Sequence, residues 1–449
     1  MNRKTYCRMS AVAAIALVTA TSPYAADVRH LTLKEAVQLA ISQNRALKIA
    51  RLKVRENQEK QNREHSAYFP ELTNRSNALH VTDLQIVELP AGSFGVIARI
   101  PIPAQSLTLR QGKLTFYSSG TMLAQPLTQL IRINAANRIA AAELAVSRED
   151  LRKAENQVAL DVHSLYFGIL VARLQKQAAE QQSVYAMENL RESEEDIRNG
   201  AALRIAAIQG RTSLLESQQG VLTAELQLDD LTTELNDLLG LPLDARLDLD
   251  PAVPHDFEQR PRGEYVRTAW ATRPEILAAE ETVRKARAAV AAAKSAYIPD
   301  ITAYASYSYQ DGVPFFVRNF GTFGFHLDWD VFDFGKRRAA VREREAQLAQ
   351  SEENLERLKE EIAVGIERAY NKVQRTRNLV QVANQVVRLR QEGDRLAGNQ
   401  LTQGVVLVAE RQQAAANTYK AEADYLQASL GYALAWAELE QALGRTPGL

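Results

Sequence analysis

The chain has 449 residues, 46% of them hydrophobic and 24% charged, a composition near the globular average and unlike that of a disordered polymer. Lys plus Arg and Asp plus Glu each number 54, so no basic excess draws the chain to the phosphates of nucleic acid. The one cysteine, Cys7, excludes an intramolecular disulfide and a cysteine-based zinc cluster.

At the start, Arg3, Lys4 and Arg8 precede an apolar run from Ser10 to Thr21, and small residues follow it. This is the layout of a secretory signal peptide, here residues 1–25, with cleavage between Ala20 and Ala26. Cys7 lies upstream of the run, so no lipid anchor is expected. No later stretch reaches the roughly 18 consecutive apolar residues of a membrane helix. Any passage of the mature chain through a bilayer must therefore be made by β-strands.

The rest of the chain is internally duplicated. SAYFPELT begins at Ser66 and SAYIPDIT at Ser295, an offset of 295 − 66 = 229. Further on an offset of 204 pairs Leu144, Ser147, Glu149 and Leu151 with Leu348, Ser351, Glu353 and Leu355. The same offset joins Tyr166 to Tyr370, Gly200 to Gly404, Leu203 to Leu407, and Leu239-Gly240 to Leu443-Gly444. Residues 26–240 and 265–444 form two copies of one unit. Residues 241–264, with four prolines, read as a linker, and residues 445–449 as a tail.

Each copy opens with a helix. Thr32 and Glu35 stand in capping-box spacing in the first, Pro274 and Glu275 mark the start in the second, and Pro70 and Pro299 end them. No proline occurs between Pro126 and Pro242 or between Pro314 and Pro447, and both intervals are rich in good helix formers. Ile133 to Asn199 reads as one nearly unbroken helix of roughly 100 Å. Gly200 and Gly404 mark turns, from which a second helix returns to Gly240 or Gly444.

Period-two segments lie between the helices. In the second copy, over about residues 300–331, Phe323, Phe325, Leu327, Trp329 and Val331 alternate with Thr322, Gly324, His326, Asp328 and Asp330. Ile301 to Gln310 alternates more weakly, completing a hairpin of about 10 residues per strand, the length a tilted membrane strand requires. A half-buried strand in water would alternate likewise. The first hairpin, about residues 71–125, has a return strand with Leu114, Phe116 and Met122 opposite Thr115, Ser119 and Thr121, and a poorly patterned outgoing strand near Leu72 to His80. An open sheet edge is not tolerated in lipid, so several chains must close one barrel. Two chains would give eight strands and a filled interior, whereas three give twelve and a passage.

The six histidines form no HExxH or close ligand pair, and there is no GxSxG, P-loop or GxGxxG. Neither enzyme activity nor a cofactor is expected. His326 beside Asp328 reads as two wetted polar residues.

The duplicated helix–hairpin–helix unit, the paired SAY(F/I)P segments, WDVFDFGKRRAAV from Trp329, the turn glycines and the terminal ALG from Ala442 together resemble the TolC-like family of outer membrane efflux proteins. The resemblance spans almost all of the mature chain. It implies a mostly α fold with membrane β-structure: a homotrimer whose twelve-stranded β-barrel sits in outer-membrane lipid and continues as a long α-helical barrel into the periplasm. Phe323, Phe325, Leu327 and Trp329 would face lipid. Gly200, Leu203, Gly404 and Leu407 would form the periplasmic tip that meets an adaptor (membrane fusion) protein and, through it, an inner-membrane pump of a tripartite efflux or type I secretion system. Acidic residues narrow the lumen after the second turn in this family. Glu410 matches the first of them, but Gln413 stands where the second is expected, which weakens the ring. Leu401 and Val406 replace the tyrosine and arginine that latch the tip in some members. Leu203 and Leu407 packing the turn, or Glu410 as a solvated helix residue, are the plainer alternatives. A soluble periplasmic coiled-coil scaffold is the competing fold, and it leaves the duplicated hairpins unexplained.

Since 229 − 204 = 25, the first hairpin holds 25 more residues than the second. The surplus fits Val81 to Gln105, where Pro90, Pro101 and Pro103 argue against an interior strand. Barrels of this kind keep their longer loops outside, so an extended extracellular loop is expected over or beside the pore mouth. A membrane-impermeant thiol reagent should label Ser93→Cys on intact cells. Labelling only after outer-membrane permeabilisation would reverse the topology.

Overall fold

The structure, a computed structural model, describes residues 29–84, 86–110, 112–251, 261–312 and 317–448. The signal peptide expected over residues 1–25 lies outside them.

The first half begins with strand β1 (Arg29–Leu31) and helix α1 (Leu33–Gln43). The capping box is complete: Thr32 Oγ1 accepts from Glu35 N at 3.3 Å, and the Glu35 carboxylate accepts from Thr32 N at 3.0 Å. The bonds that the carboxylate accepts from Thr32 N and then from Thr32 Oγ1 hold it below its ordinary pKa. The chain then breaks at Asn44, whose Oδ1 caps α2 (Arg45–Ser66) through the amides of Ala46 and Leu47. In the second half α5 (Arg262–Thr272) stops at Arg273, because a proline disfavours the helical conformation in the residue before it, and Pro274 opens α6 (Pro274–Ser295). One opening helix per copy was expected, and each copy has two. Asn44 and Arg273 are equivalent at the offset of 229, and both breaks separate a helix of 11 residues from one of 22. Two different chemistries make the same break.

Two strands, β2 (Glu71–His80) and β7 (Thr115–Pro126), form the first hairpin. They are joined by an arm of four short strands: β3 (Ile86–Leu89), β4 (Val96–Ile97), β5 (Ile100–Pro101) and β6 (Leu107–Arg110). The outgoing strand with the weak pattern is full length. Helix α3 (Leu130–Arg198) follows with 69 residues, roughly 100 Å at 1.5 Å per residue, and α4 (Arg204–Leu239) returns beside it. The second half repeats this with β9 (Asp300–Asp311), β10 (Asn319–Asp328), α7 (Lys336–Thr402) and α8 (Val408–Ala442). At an offset of 204 the ends of α3 and α7 coincide, as do the starts of α4 and α8. No described helix combines the length and apolarity needed to cross a membrane.

The duplication reaches into the packing. One core contains Ala36, Ala40, Leu47, Val158, Val162, Tyr166, Ile169, Leu235 and Leu239. The other contains Tyr265, Ala269, Ile276, Ile362, Ile366, Val373, Leu439 and Leu443, with Tyr370 packed against it. Each residue of the second set matches one of the first at an offset of 229 or 204. Full burial of each Leu, Ile or Val contributes about 1.5–3 kcal/mol. Along the helices, α3 packs on α2 and α6 above and on α4 and α8 below, while α7 flanks α6 and α8. Glu143 of α3 stitches three helices, accepting from Lys60 of α2 at 2.5 Å and Lys285 of α6 at 2.9 Å. Partial burial opposes its ionisation, but the two lysines outweigh that and hold the carboxyl below its ordinary pKa.

The segment read as a linker is structured at both ends. After Gly240, Asn236 Nδ2 donates to the carbonyls of Leu243 and Ala245 at 3.1 and 2.9 Å, and β8 (Leu247–Leu249) pairs in parallel with β1. At its far end α5 already begins at Arg262, and residues 252–260 lie outside the described set. The C-terminal tail also packs. Gly444 (φ +78°) lies so close to the α5–α6 break that a Cβ there would stand 2.6 Å from Arg273 Cα, which requires glycine. Beyond it, Thr446 Oγ1 donates to Asn156 Oδ1 at 2.7 Å, and Gly448 covers the buried His163 of α3, whose imidazole burial holds below its ordinary pKa.

Tyr166 ties these parts together. It is fully buried, and its hydroxyl is shared between Leu31 O at 2.9 Å, at the end of β1, and Asp250 O at 2.8 Å, one residue past β8. Burial pushes its phenol up to about 12. Tyr166→Phe leaves two carbonyls without this donor and should cost about 1–3 kcal/mol. A lowered thermal midpoint together with faster amide exchange at Asp250 is the expected result. An unchanged midpoint and unchanged exchange would show that the strap holds without it.

Candidate functional site

Two features sit at opposite ends of the long helices: a sheet and a pair of turns. The sheet has the order β10-β9-β7-β2, all neighbours antiparallel. Each strand joins a helix at the same end: β2 follows α2, β7 leads into α3, β9 follows α6 and β10 leads to α7. The hairpin connections, including the arm, therefore lie at the end away from the helices. Both edge strands, β2 and β10, have 10 residues and, among the described residues, one partner each.

Register assigns the faces. Leu72, Leu123, Ala305 and Phe323 lie in one row across the sheet, and Asn74, Thr121, Tyr307 and Gly321 in another on the same side. On this side Phe323 is 89% exposed, Phe325 74% and Leu327 60%. The opposite side carries rows such as Thr73, Met122, Ser306 and Thr322, with Ser306 Oγ and Thr322 Oγ1 2.6 Å apart. His326 opposite Thr302 and Asp328 opposite Asp300 belong to this polar side. One sequence expectation is corrected. Trp329 lies one residue beyond β10, because the strand ends at Asp328 although the alternation runs on to Val331. Phe116 and Met122 share the polar side with Thr322, whereas Leu72, Tyr117 and Leu123 of the same hairpin share the side of Phe323. What the first hairpin adds beside Phe323 is largely polar and internally satisfied. Asn74 Nδ2 donates to Thr121 Oγ1 at 2.8 Å, and Ser76 Oγ lies 2.8 Å from Asn74 Oδ1 and 2.9 Å from Ser119 Oγ.

At the junction of sheet and helix, the DFGKR part of the motif from Trp329 forms a knot that sequence reading did not resolve. Asp333 Oδ2 accepts from Arg337 N at 3.0 Å and Arg337 Nε at 2.6 Å, and Asp333 Oδ1 accepts from Gly335 N at 3.1 Å. The backbone bond from Arg337 and then its guanidinium hold the Asp333 carboxyl below its ordinary pKa. Arg337 also donates to Asp330 O at 2.6 Å and lies over the Tyr297 ring, 5.2 Å from its centroid. Phe332 and Phe334 pack edge to face at 4.7 Å and are 74% and 92% exposed. With Trp329 they gather three exposed aromatic side chains at the helix end of the sheet. The Asp-x-Gly-x-Arg spacing between aromatics was the available signal.

The turns at the other end are copies of each other. Gly200 has φ +74° and Gly404 φ +69°. Ala201 N donates to Asp196 O and Val405 N to Gln400 O, which closes each helix in a Schellman turn. Leu203 and Leu407 then stand extended as the N-caps of α4 and α8, 77% and 63% exposed. They do not pack the turn. Ile205, Ile208 and Val405 are exposed beside them, and a groove lined by Glu194, Arg198, Arg204 and Ile208 opens between α3 and α4.

Glu410 is exposed in the first turn of α8, where its carboxylate accepts from Leu407 N at 3.4 Å. Its neighbour Gln413 is half-buried and donates to Asn417 Oδ1 at 3.2 Å. The sequence reading missed Glu192 of α3, which accepts from Ala409 N at 2.8 Å and so caps α8 across the two turns. It also missed the 2.5 Å ion pair of Arg411 with Asp394, which holds α8 to α7.

Comparison with known proteins gives one result for sequence and one for fold. The family described as outer membrane efflux protein matches residues 36–241 and 266–445. Among solved structures, CusC superposes with a TM-score of 0.73 at 18% identity, covering 92% of both chains. The Campylobacter jejuni outer membrane channel CmeC gives 0.74 at 16% identity over 92% of this chain and 85% of that one. VceC, an outer membrane protein of Vibrio cholerae, gives 0.71 at 15% identity over 92% and 96%. No curated protein matches the chain.

Proposed function

The chain belongs to the outer membrane efflux protein family, and from that premise we propose that three copies form the exit duct of a tripartite efflux pump or type I secretion system. The observation that carries this reading is the four-stranded sheet with two free edges. In lipid an unpaired edge is prohibitively costly, and three chains of four strands give a twelve-stranded barrel with room for a passage. β2 of one copy and β10 of the next run in opposite directions, so the closing pair is antiparallel like the rest. The more exposed side, with Phe323, Phe325 and Leu327, faces lipid, Trp329 stands at the interface, and the side with Ser306, Thr322 and His326 lines the passage. A water-soluble scaffold has no use for such a sheet.

The helices continue the duct into the periplasm, and the turns at Gly200 and Gly404 form its far tip. Exposed Leu203 and Leu407 supply the apolar contacts for an adaptor protein, which connects the duct to an inner-membrane pump. Glu410 contributes one carboxylate per copy to a ring at this end, weakened because Gln413 replaces a second acid.

Two sets of variants test these roles. Gly200→Val and Gly404→Val each force a β-branched residue to positive φ, at about 1–2 kcal/mol. Both should reduce export while a trimer is still recovered in detergent. Full export by both variants would remove the turns from docking. Glu410→Ala and Glu410→Gln should both lower cation preference in planar bilayers, with the alanine variant also raising conductance. Selectivity identical to the parent in both would confine Glu410 to capping α8.

A further inference from the structure

The arm between β2 and β7 has an aliphatic face that its own chain covers only in part, with Leu89 and Leu109 half-buried. β3 and β6 form a ribbon in which Val87 pairs with Leu109 and Leu89 with Leu107, and these four aliphatic residues share one side. Ile86, Glu88 and Thr108 occupy the other. Val87 is 38% exposed and Leu107 47%. Further out Phe94, Val96, Ile97 and Ile100 are 69, 64, 67 and 59% exposed. A two-stranded ribbon is marginal in isolation, and a contiguous apolar patch of this kind marks an interaction surface.

The base of the arm fixes where it stands. Val81 N donates to Leu114 O at 2.8 Å, which carries the β2–β7 ladder outward. Lys113 N donates to Gly312 O at 3.0 Å, and Lys113 Nζ pairs with Asp311 at 2.9 Å, locking the return limb to the end of β9. The outgoing limb leaves from the last residue of β2, the strand with a free edge. The aliphatic face is thus continuous with the seam at which another chain must pair.

We infer that the aliphatic faces of the arms are covered by the arms of neighbouring copies of this chain, so that three arms form an apolar clasp around the outer mouth of the duct. This inference rests on the trimeric reading above. Heterologous packing around a threefold axis places one copy's ribbon against the next, burying Val87, Leu89, Leu107 and Leu109 and enclosing the tip residues. The arm then serves as a closure element of the barrel, which explains an insertion rich in aliphatic residues on a surface otherwise exposed to water.

The test is photo-crosslinking of the full-length protein in intact cells. A photoreactive phenylalanine analogue is placed at Leu107, with the same analogue at Thr322 on the free edge of β10 as a control. The clasp predicts a covalent chain–chain dimer from Leu107, at least about tenfold above the unirradiated sample and comparable with the dimer from Thr322. A dimer from Thr322 with only lipopolysaccharide adducts, or no adduct, from Leu107 would overturn the clasp and leave the trimer standing. No dimer from either position would overturn the trimer and the clasp together. A dimer from Leu107 that survives Val87→Ser and Leu109→Ser at full yield would also count against aliphatic packing.

Discussion

The backbone groups along the outer edges of β2 and β10 impose the constraint on which the rest of the architecture depends. Among the described residues of one chain these two strands have no second partner, and inside a bilayer neither water nor a side chain supplies one. In the assembly proposed above, closure by further copies answers this, and it determines much else. It requires strands of similar length, connections gathered at one end and helices that leave together at the other. The observed element order meets each requirement, because all four strands join their helices at the same end.

Duplication makes that geometry economical. The two halves differ in most residues, yet their helix breaks, helix ends and core positions agree at fixed offsets. Asn44 breaks the first opening helix by capping the next, and Pro274 breaks the second through its effect on the preceding residue. Leu239-Gly240 and Leu443-Gly444 then return to those breaks, close to Gln43 and Arg273 respectively. The two joints share a shape and differ in chemistry. The halves also divide the work: the second hairpin supplies the aromatic face with Phe323 and Phe325, and the first supplies the arm.

Much of this was legible in the sequence because long helices and alternating strands impose periods that survive divergence. The proline-free intervals located α3 and α7, and the positive φ at Gly200 and Gly404 follows from a turn that closes a helix and leads into another. The ten residues with alternating character after Gly321 overran the strand, because alternation continued through residues that turn away at Trp329. The broken opening helices were missed because Asn44 looks like an ordinary polar helix residue until its side chain is seen to cap. The side of the sheet that the first hairpin's apolar residues join was not legible, for a different reason. Strand register between hairpins is a long-range property, and Phe116 and Met122 carry no local sign of which side of the sheet they will join. At the tip, the contacts made by Glu192 and Asp394 depend on helices brought together across the fold, beyond the reach of any local pattern.

The central claim is that the chain is one third of a membrane-spanning duct. Native mass spectrometry of the protein extracted in mild detergent from purified outer membranes tests it most directly. The account predicts a detergent-dependent assembly of three signal-cleaved chains, with no stable single-chain species released by buffer alone. A single chain that remains soluble without detergent would contradict it.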